Sequence, residues 1–163
     1  MDAAAPQILT ALEASALGLA IRQSVWAYPA ANVGHVVSVS LLAGGLAVMD
    51  LTLLGVIRAR DRVALIIGSR RFVIGLLALV IATGSVLFIA EASHVALNPV
   101  FQAKIALLLV ALLNALWLGR KAIHAAQQLP DDEALPTSAR LAAAISLATW
   151  IGVVGLGRFI AYL

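Results

Sequence analysis

Residues 72–90 pass from Phe72 to Ala90 without one charged side chain, and three other stretches of the chain are nearly as apolar. A bilayer crossing needs about 20 mainly apolar residues, so four crossings are expected, at about residues 26–57, 72–94, 99–119 and 138–160. The first carries no formal charge before Asp50, and its Pro29 sits where a helix tolerates proline, in the first turn. The third opens on Asn98-Pro99, a capping residue followed by a proline at the first helical position. The fourth opens at Thr137 or Ser138. Composition leaves no room for a soluble alternative: 63% of the 163 residues are hydrophobic and 12% charged, against about 25% charged in soluble domains. The fold class expected is an all-α integral membrane protein, a four-transmembrane-helix bundle forming a single membrane domain.

Ahead of the first crossing, residues 6–23 place Ile8, Leu9, Leu12, Leu17 and Ile21 at helical spacing, broken by Gln7, Glu13 and Arg22. This predicts one amphipathic helix lying in the membrane interface, because a fifth span would carry Glu13 to mid-depth. The first residues, MDAAAPQ, lack a basic region, so a signal peptide is not expected.

The cations set an orientation. Eight of eleven flank spans on one side: Arg58, Arg60, Arg62, Arg70 and Arg71 after the first span, Arg120, Lys121 and Arg140 after the third. Arg22, Lys104 and Arg158 are the three on the other side. The rule that short cytoplasmic loops are rich in Lys and Arg then predicts a bacterial inner-membrane protein with both termini periplasmic. Topology thus accounts for the net charge of +3, and nucleic acid is not an expected partner; the lipid bilayer is. The acidic Pro130–Glu133 stretch reads as a solvated turn.

Residue types close off several chemistries. There is no cysteine, and Met1 and Met49 are the only methionines, so thiolate sites and a thioether path for Cu(I) are excluded. No GxGxxG, Walker, HExxH or GxSxG pattern occurs, and Gly152, Gly155 and Gly157 suit close helix packing.

Ionisable groups in a span are costly, and each is a functional hypothesis. His35 lies 23 residues from Arg58, and His94 lies 23 from Arg71. At the helical rise both stand about 34 Å from the basic edge, and equal depth is what two imidazoles need to meet one metal from two helices. At 100° per residue, Asn32, Ser38, Gly45 and Asp50 share the His35 face, and Thr83, Gly84, Leu87, Ala90 and Glu91 share the His94 face. Lys104 and Arg158 lie near the same end, placed to meet the carboxylates of a haem. Glu91 with Lys104 reads as an ion pair there, and Trp26, Tyr28, Trp117, Trp150 and Tyr162 read as interface or packing aromatics. A second polar layer, Asp50, Asn114 and Ser146, stands about 9 to 12 Å above the basic edge, able to hydrogen-bond across the bundle. His124 follows Arg120 and Lys121 into the basic-side loop.

The string Ser24-Val-Trp26-Ala-Tyr28-Pro29, then His35, Leu42-Ala-Gly44-Gly45 and Asp50-Leu-Thr-Leu-Leu-Gly55, resembles an uncharacterised bacterial family of four-helix inner-membrane proteins. Asn98-Pro99-Val-Phe101-Gln-Ala-Lys104 and Gly157-Arg158-Phe-Ile-Ala-Tyr162 extend that resemblance over nearly the whole chain. More distantly, a histidine early in a span followed by paired glycines is similar to copper-resistance-D-type membrane proteins and four-helix b-type cytochromes. That second resemblance implies haem b held by two histidines. The expected function is a haem b cytochrome or cytochrome subunit carrying electrons near the periplasmic face, with membrane or periplasmic redox subunits as its partners. His35 and His94 would be axial ligands, and Lys104 and Arg158 propionate partners. The alternatives are a cofactor-free structural subunit, and a carrier of a small solute or metal ion with Asp50 as its coupling acid.

Overall fold

The computed structural model describes residues 6–159, and among them every regular element is a helix. In chain order these are α1 (Gln7–Glu13), α2 (Ala16–Gln23), α3 (Ala27–Leu53), α4 (Arg62–Ala90), α5 (Ala92–Leu97), α6 (Pro99–Gln128) and α7 (Thr137–Phe159). Four of them, α3, α4, α6 and α7, are long and apolar enough to cross a membrane. The chain is thus a multi-pass helical membrane protein.

Local chemistry starts and stops these helices. Asp61 Oδ1 accepts from Ala64 N at 2.8 Å to cap α4. Asn98 Oδ1 accepts from Val100 N and Phe101 N to cap α6, with Pro99 at its first position. α3 ends on Gly55, whose φ of +80° is the left-handed value a side chain disfavours. There Val56 N reaches Leu51 O at 2.9 Å and Gly55 N reaches Thr52 O at 3.1 Å, the paired bonds of a Schellman stop.

α3 packs along α4, α6 along α7, and α3 against α7, which joins the two pairs. α3 and α7 are therefore the inner helices, with 33% and 39% of their central windows buried, against 6% and 11% for α4 and α6. One core of Leu42, Leu46, Val73, Ala111, Trp150 and Val153 fills the middle of the bundle. A second, with Leu53, Ile66, Ala122, Ala126, Leu135 and Ala139, sits towards the basic end. Its alanines let α6 and α7 approach closely, the usual basis of helix association in lipid. Several span hydroxyls are spent within their own helices, as in Thr52 Oγ1 to Val48 O at 2.7 Å.

Several boundaries differ from those read in the sequence. The expected interfacial helix over 6–23 is two helices, because Ser15 caps a new one through Gly18 N at 3.1 Å. α4 begins at Arg62 rather than Phe72, so Arg70 and Arg71 ride on a helix. α6 continues to Gln128, carrying Arg120, Lys121 and His124, whose Nε2 meets Gln128 Nε2 at 3.1 Å. The expected end of the fourth span and Tyr162 lie outside the described residues. Trp26, just before α3, and Trp117 of α6 are exposed, whereas Trp150 is in the core.

The acidic turn is more than solvated. Buried Arg62 donates from Nη1 to Glu133 O at 2.7 Å and from Nη2 to Pro130 O at 2.9 Å and Leu129 O at 3.3 Å. Its backbone N donates to Asp131 Oδ1 at 3.2 Å. The carboxylates themselves remain at the surface, but the turn's carbonyls hold the start of α4 against the end of α6.

Candidate functional site

At the end away from the arginine-rich loops, His35 of α3 meets α4. Its Nδ1 is 3.0 Å from Thr83 Oγ1. The Thr83 hydroxyl has one proton, directed at Leu79 O at 2.7 Å with Val80 O at 3.3 Å, and carbonyls only accept. With the Thr83 proton so placed, the tautomer that completes the network carries its hydrogen on Nδ1 and leaves Nε2 as the accepting nitrogen. The ring lies on Gly84, where a Cβ would stand 3.1 Å from His35 Cε1. Thr83 and Gly84, read from the sequence as facing His94, thus face His35.

Lys104 of α6 enters the same neighbourhood, close enough for its charge to act on His35. Its ammonium lies beside Gly157 of α7, at 3.4 Å from where a Cβ would be. Lys104 is only partly exposed, and among the described residues no carboxylate ion-pairs with it. The expected Glu91–Lys104 pair does not form, since Glu91 Oε1 accepts instead from the Tyr28 hydroxyl at 3.0 Å. Arg158 is exposed in the last turn of α7, where a cation suits the helix dipole.

His94 does not continue the line of α4. α4 stops at Ala90, Glu91 takes φ −137° and ψ 37°, and His94 rides exposed on α5. The count of 23 residues from Arg71 to His94 is consequently not a helical rise, and the equal-depth argument does not carry over. Along α4, Ala90 already stands seven residues, about 10 Å, beyond Thr83.

His94 belongs to a second cluster that sequence reading missed. Glu13, at the end of α1, accepts from the backbone N of Ser93 at 3.1 Å and, at short range, from its hydroxyl. Arg22 of α2 pairs with Glu13 at 3.4 Å and donates to Ala90 O at 2.8 Å, a carbonyl left without a helical partner where α4 stops. The Ser93 hydroxyl and then its backbone N–H hold the Glu13 carboxyl below its ordinary value, with Arg22 and His94 adding to that effect. A cavity of about 270 Å³ lies between Thr10, Glu13, Arg22 and Ser93. The available signal was that Glu13 and Arg22 are the lone charges of residues 6–23.

The second polar layer forms as expected. Asn114 Nδ2 donates to Ala142 O on α7 at 3.1 Å, and Ser146 of α7 faces the Asp50 carboxyl. Among the described residues no group of three or more His, Asp or Glu side chains is assembled to hold a metal ion.

No curated protein and no solved structure matches the sequence. A family model described as a family of unknown function, DUF6644, matches residues 11–163. Because that match spans almost the whole chain, helices, outer polar clusters and inner layer together, this protein belongs to the DUF6644 family.

Proposed function

We propose that the chain is a membrane-embedded b-type cytochrome, or a cytochrome subunit, of a bacterial inner membrane, with its arginine-rich end cytoplasmic and both termini periplasmic. One observation carries this reading: His35 Nδ1 stands 3.0 Å from Thr83 Oγ1, whose own proton is taken by Leu79 O. The tautomer that completes this network carries its hydrogen on Nδ1 and leaves Nε2 as the nitrogen able to bind a metal. Metal-ligating histidines are held in this way, with the second nitrogen donating to a neighbour that fixes ring and tautomer. His35 would hold haem iron through Nε2, and the bound haem would supply a one-electron couple. Thr83 and Gly84 orient the ring. Lys104 offers a cation to a propionate, and Gly34, Gly84 and Gly157 keep side chains away from its surroundings. His94 takes no axial role in this reading, and redox subunits of the same membrane are the partners implied.

The protein purified in detergent after haem-replete expression tests the proposal through its visible spectrum, before and after dithionite. A Soret band that sharpens on reduction, and is lost in His35→Ala, is expected. A flat spectrum overturns it. That outcome favours a cofactor-free structural subunit, for which the His35–Thr83 bond is simply a link between α3 and α4.

A further inference from the structure

Two oxygens of the inner layer are buried without a donor: Asp50 Oδ2 and Asn114 Oδ1. Their residues are 1% and 8% exposed. Both sit against one turn of α7, since Asn114 is bonded to Ala142 O and Asp50 faces Ser146, one turn or about 6 Å further along. Ser146 hydrogen-bonds the Asp50 carboxyl, but the other neighbouring hydroxyls are already committed. Thr149 donates to Ile145 O and Thr52 to Val48 O.

A buried carboxylate needs a compensating positive charge. Among the described residues no cation is paired with Asp50: the ion pairs Arg22–Glu13 and Arg62–Asp131 lie elsewhere. Arg62, Arg70 and Arg71 of α4, Arg120 and Lys121 of α6, and Arg140 of α7 are the charges on the basic side of the packed helices, and none of them forms a salt bridge with Asp50. Lys104 and Arg158 stand at the opposite end. What is missing is therefore a cation from outside the chain, taken by oxygen atoms only.

We propose that Asp50, Asn114 and Ser146 form a site for an exchangeable monovalent cation, either a sodium ion or a proton. Sodium suits a set of hard oxygen donors. A proton on Asp50 answers the same deficit by turning one acceptor into a donor. The site is independent of the His35 cluster at the other end of the bundle.

The test uses the full chain in detergent, with aspartate labelled for infrared spectroscopy and unfolding followed by heat. Asp61, Asp131 and Asp132 are exposed, and a protonated aspartic acid band at neutral pH is assigned to Asp50 by its loss in Asp50→Asn. For sodium, the unfolding temperature rises with NaCl but not with equimolar choline chloride, and Asp50→Asn abolishes the rise. For a proton, the two salts act alike. The acid band then disappears as pH rises, and Asp50→Asn removes both the band and the pH response. If Asp50→Asn does not fold, Asn114→Leu serves, because it keeps the charge and removes one oxygen. It weakens the sodium response at least several-fold or shifts the titration of the band. The proposal is overturned if the parent shows no sodium-specific stabilisation and an Asp50 band, present or absent, that does not respond to pH. It is equally overturned if folded Asp50→Asn responds to both as the parent does.

Discussion

Arg62 and Lys104 are both cations drawn into the bundle, one at each end, and their surroundings differ in kind. Arg62 is buried and donates to three carbonyls, with only Nε left unbonded at 4.0 Å from Asp131. Lys104 lies against a glycine and near the His35 imidazole, with no carboxylate paired to it among the described residues. A buried charge whose donors are met is architecture, since its removal strands several acceptors at once. A charge inside the bundle with no such partner adds little to folding. It is where a ligand is expected.

The contrast is sharpest in Arg62→Ala, which leaves the carbonyls of Leu129, Pro130 and Glu133 without their donor and is expected to cost about 3 kcal/mol or more, read by thermal unfolding in detergent. Arg62→Lys recovers only part of this, because an ammonium cannot reproduce the fork of a guanidinium. Lys104→Met is expected to leave stability unchanged or raise it by up to about 2 kcal/mol, while lowering haem retention. If both variants fall by similar amounts, the distinction between the two cations collapses.

Smaller effects probe the ligand end itself. Gly84→Ala sets a methyl 3.1 Å from His35 Cε1 and is expected to cost about 1 kcal/mol through overpacking while displacing the imidazole, a change visible in the spectrum of bound haem. Thr83→Val keeps the shape and removes the acceptor for Nδ1–H, at about 0.6 kcal/mol, typical of such bonds in a bundle. The smallest change concerns Glu13. Its carboxyl is held below its ordinary value in the folded chain, so folding releases protons and stability rises with pH in that range. Stabilisation is thus full above about pH 4.3, the ordinary value for glutamate, and is lost as pH falls below it. Glu13→Gln should flatten that part of an acid-unfolding curve.

The four membrane helices were legible because hydropathy is a property of each segment alone: a lipid-spanning stretch must be apolar whatever its neighbours are. Asn98-Pro99 announced the start of α6 for the same local reason, and the Arg-rich loops marked one end of the bundle without reference to packing. The layer of Asp50, Asn114 and Ser146 was visible as well, because counting along straight, uninterrupted helices is reliable. The break at Glu91 was not. Nothing in Glu91-Ala-Ser-His94 forbids a helix. The break comes with contacts from far along the chain, Tyr28 on Glu91 across 63 residues and Arg22 on Ala90 O across 68.

That break separates what sequence and tertiary structure each decide here. Composition, charge placement and capping residues determine how many helices there are, where most of them begin, and which end is basic, since each depends on a few neighbouring residues. Which polar groups meet is decided only when the helices pack. His35 takes Thr83 and has Lys104 beside it, while His94 is carried off with Glu13, because a turn ended by distant side chains redirects every residue after it.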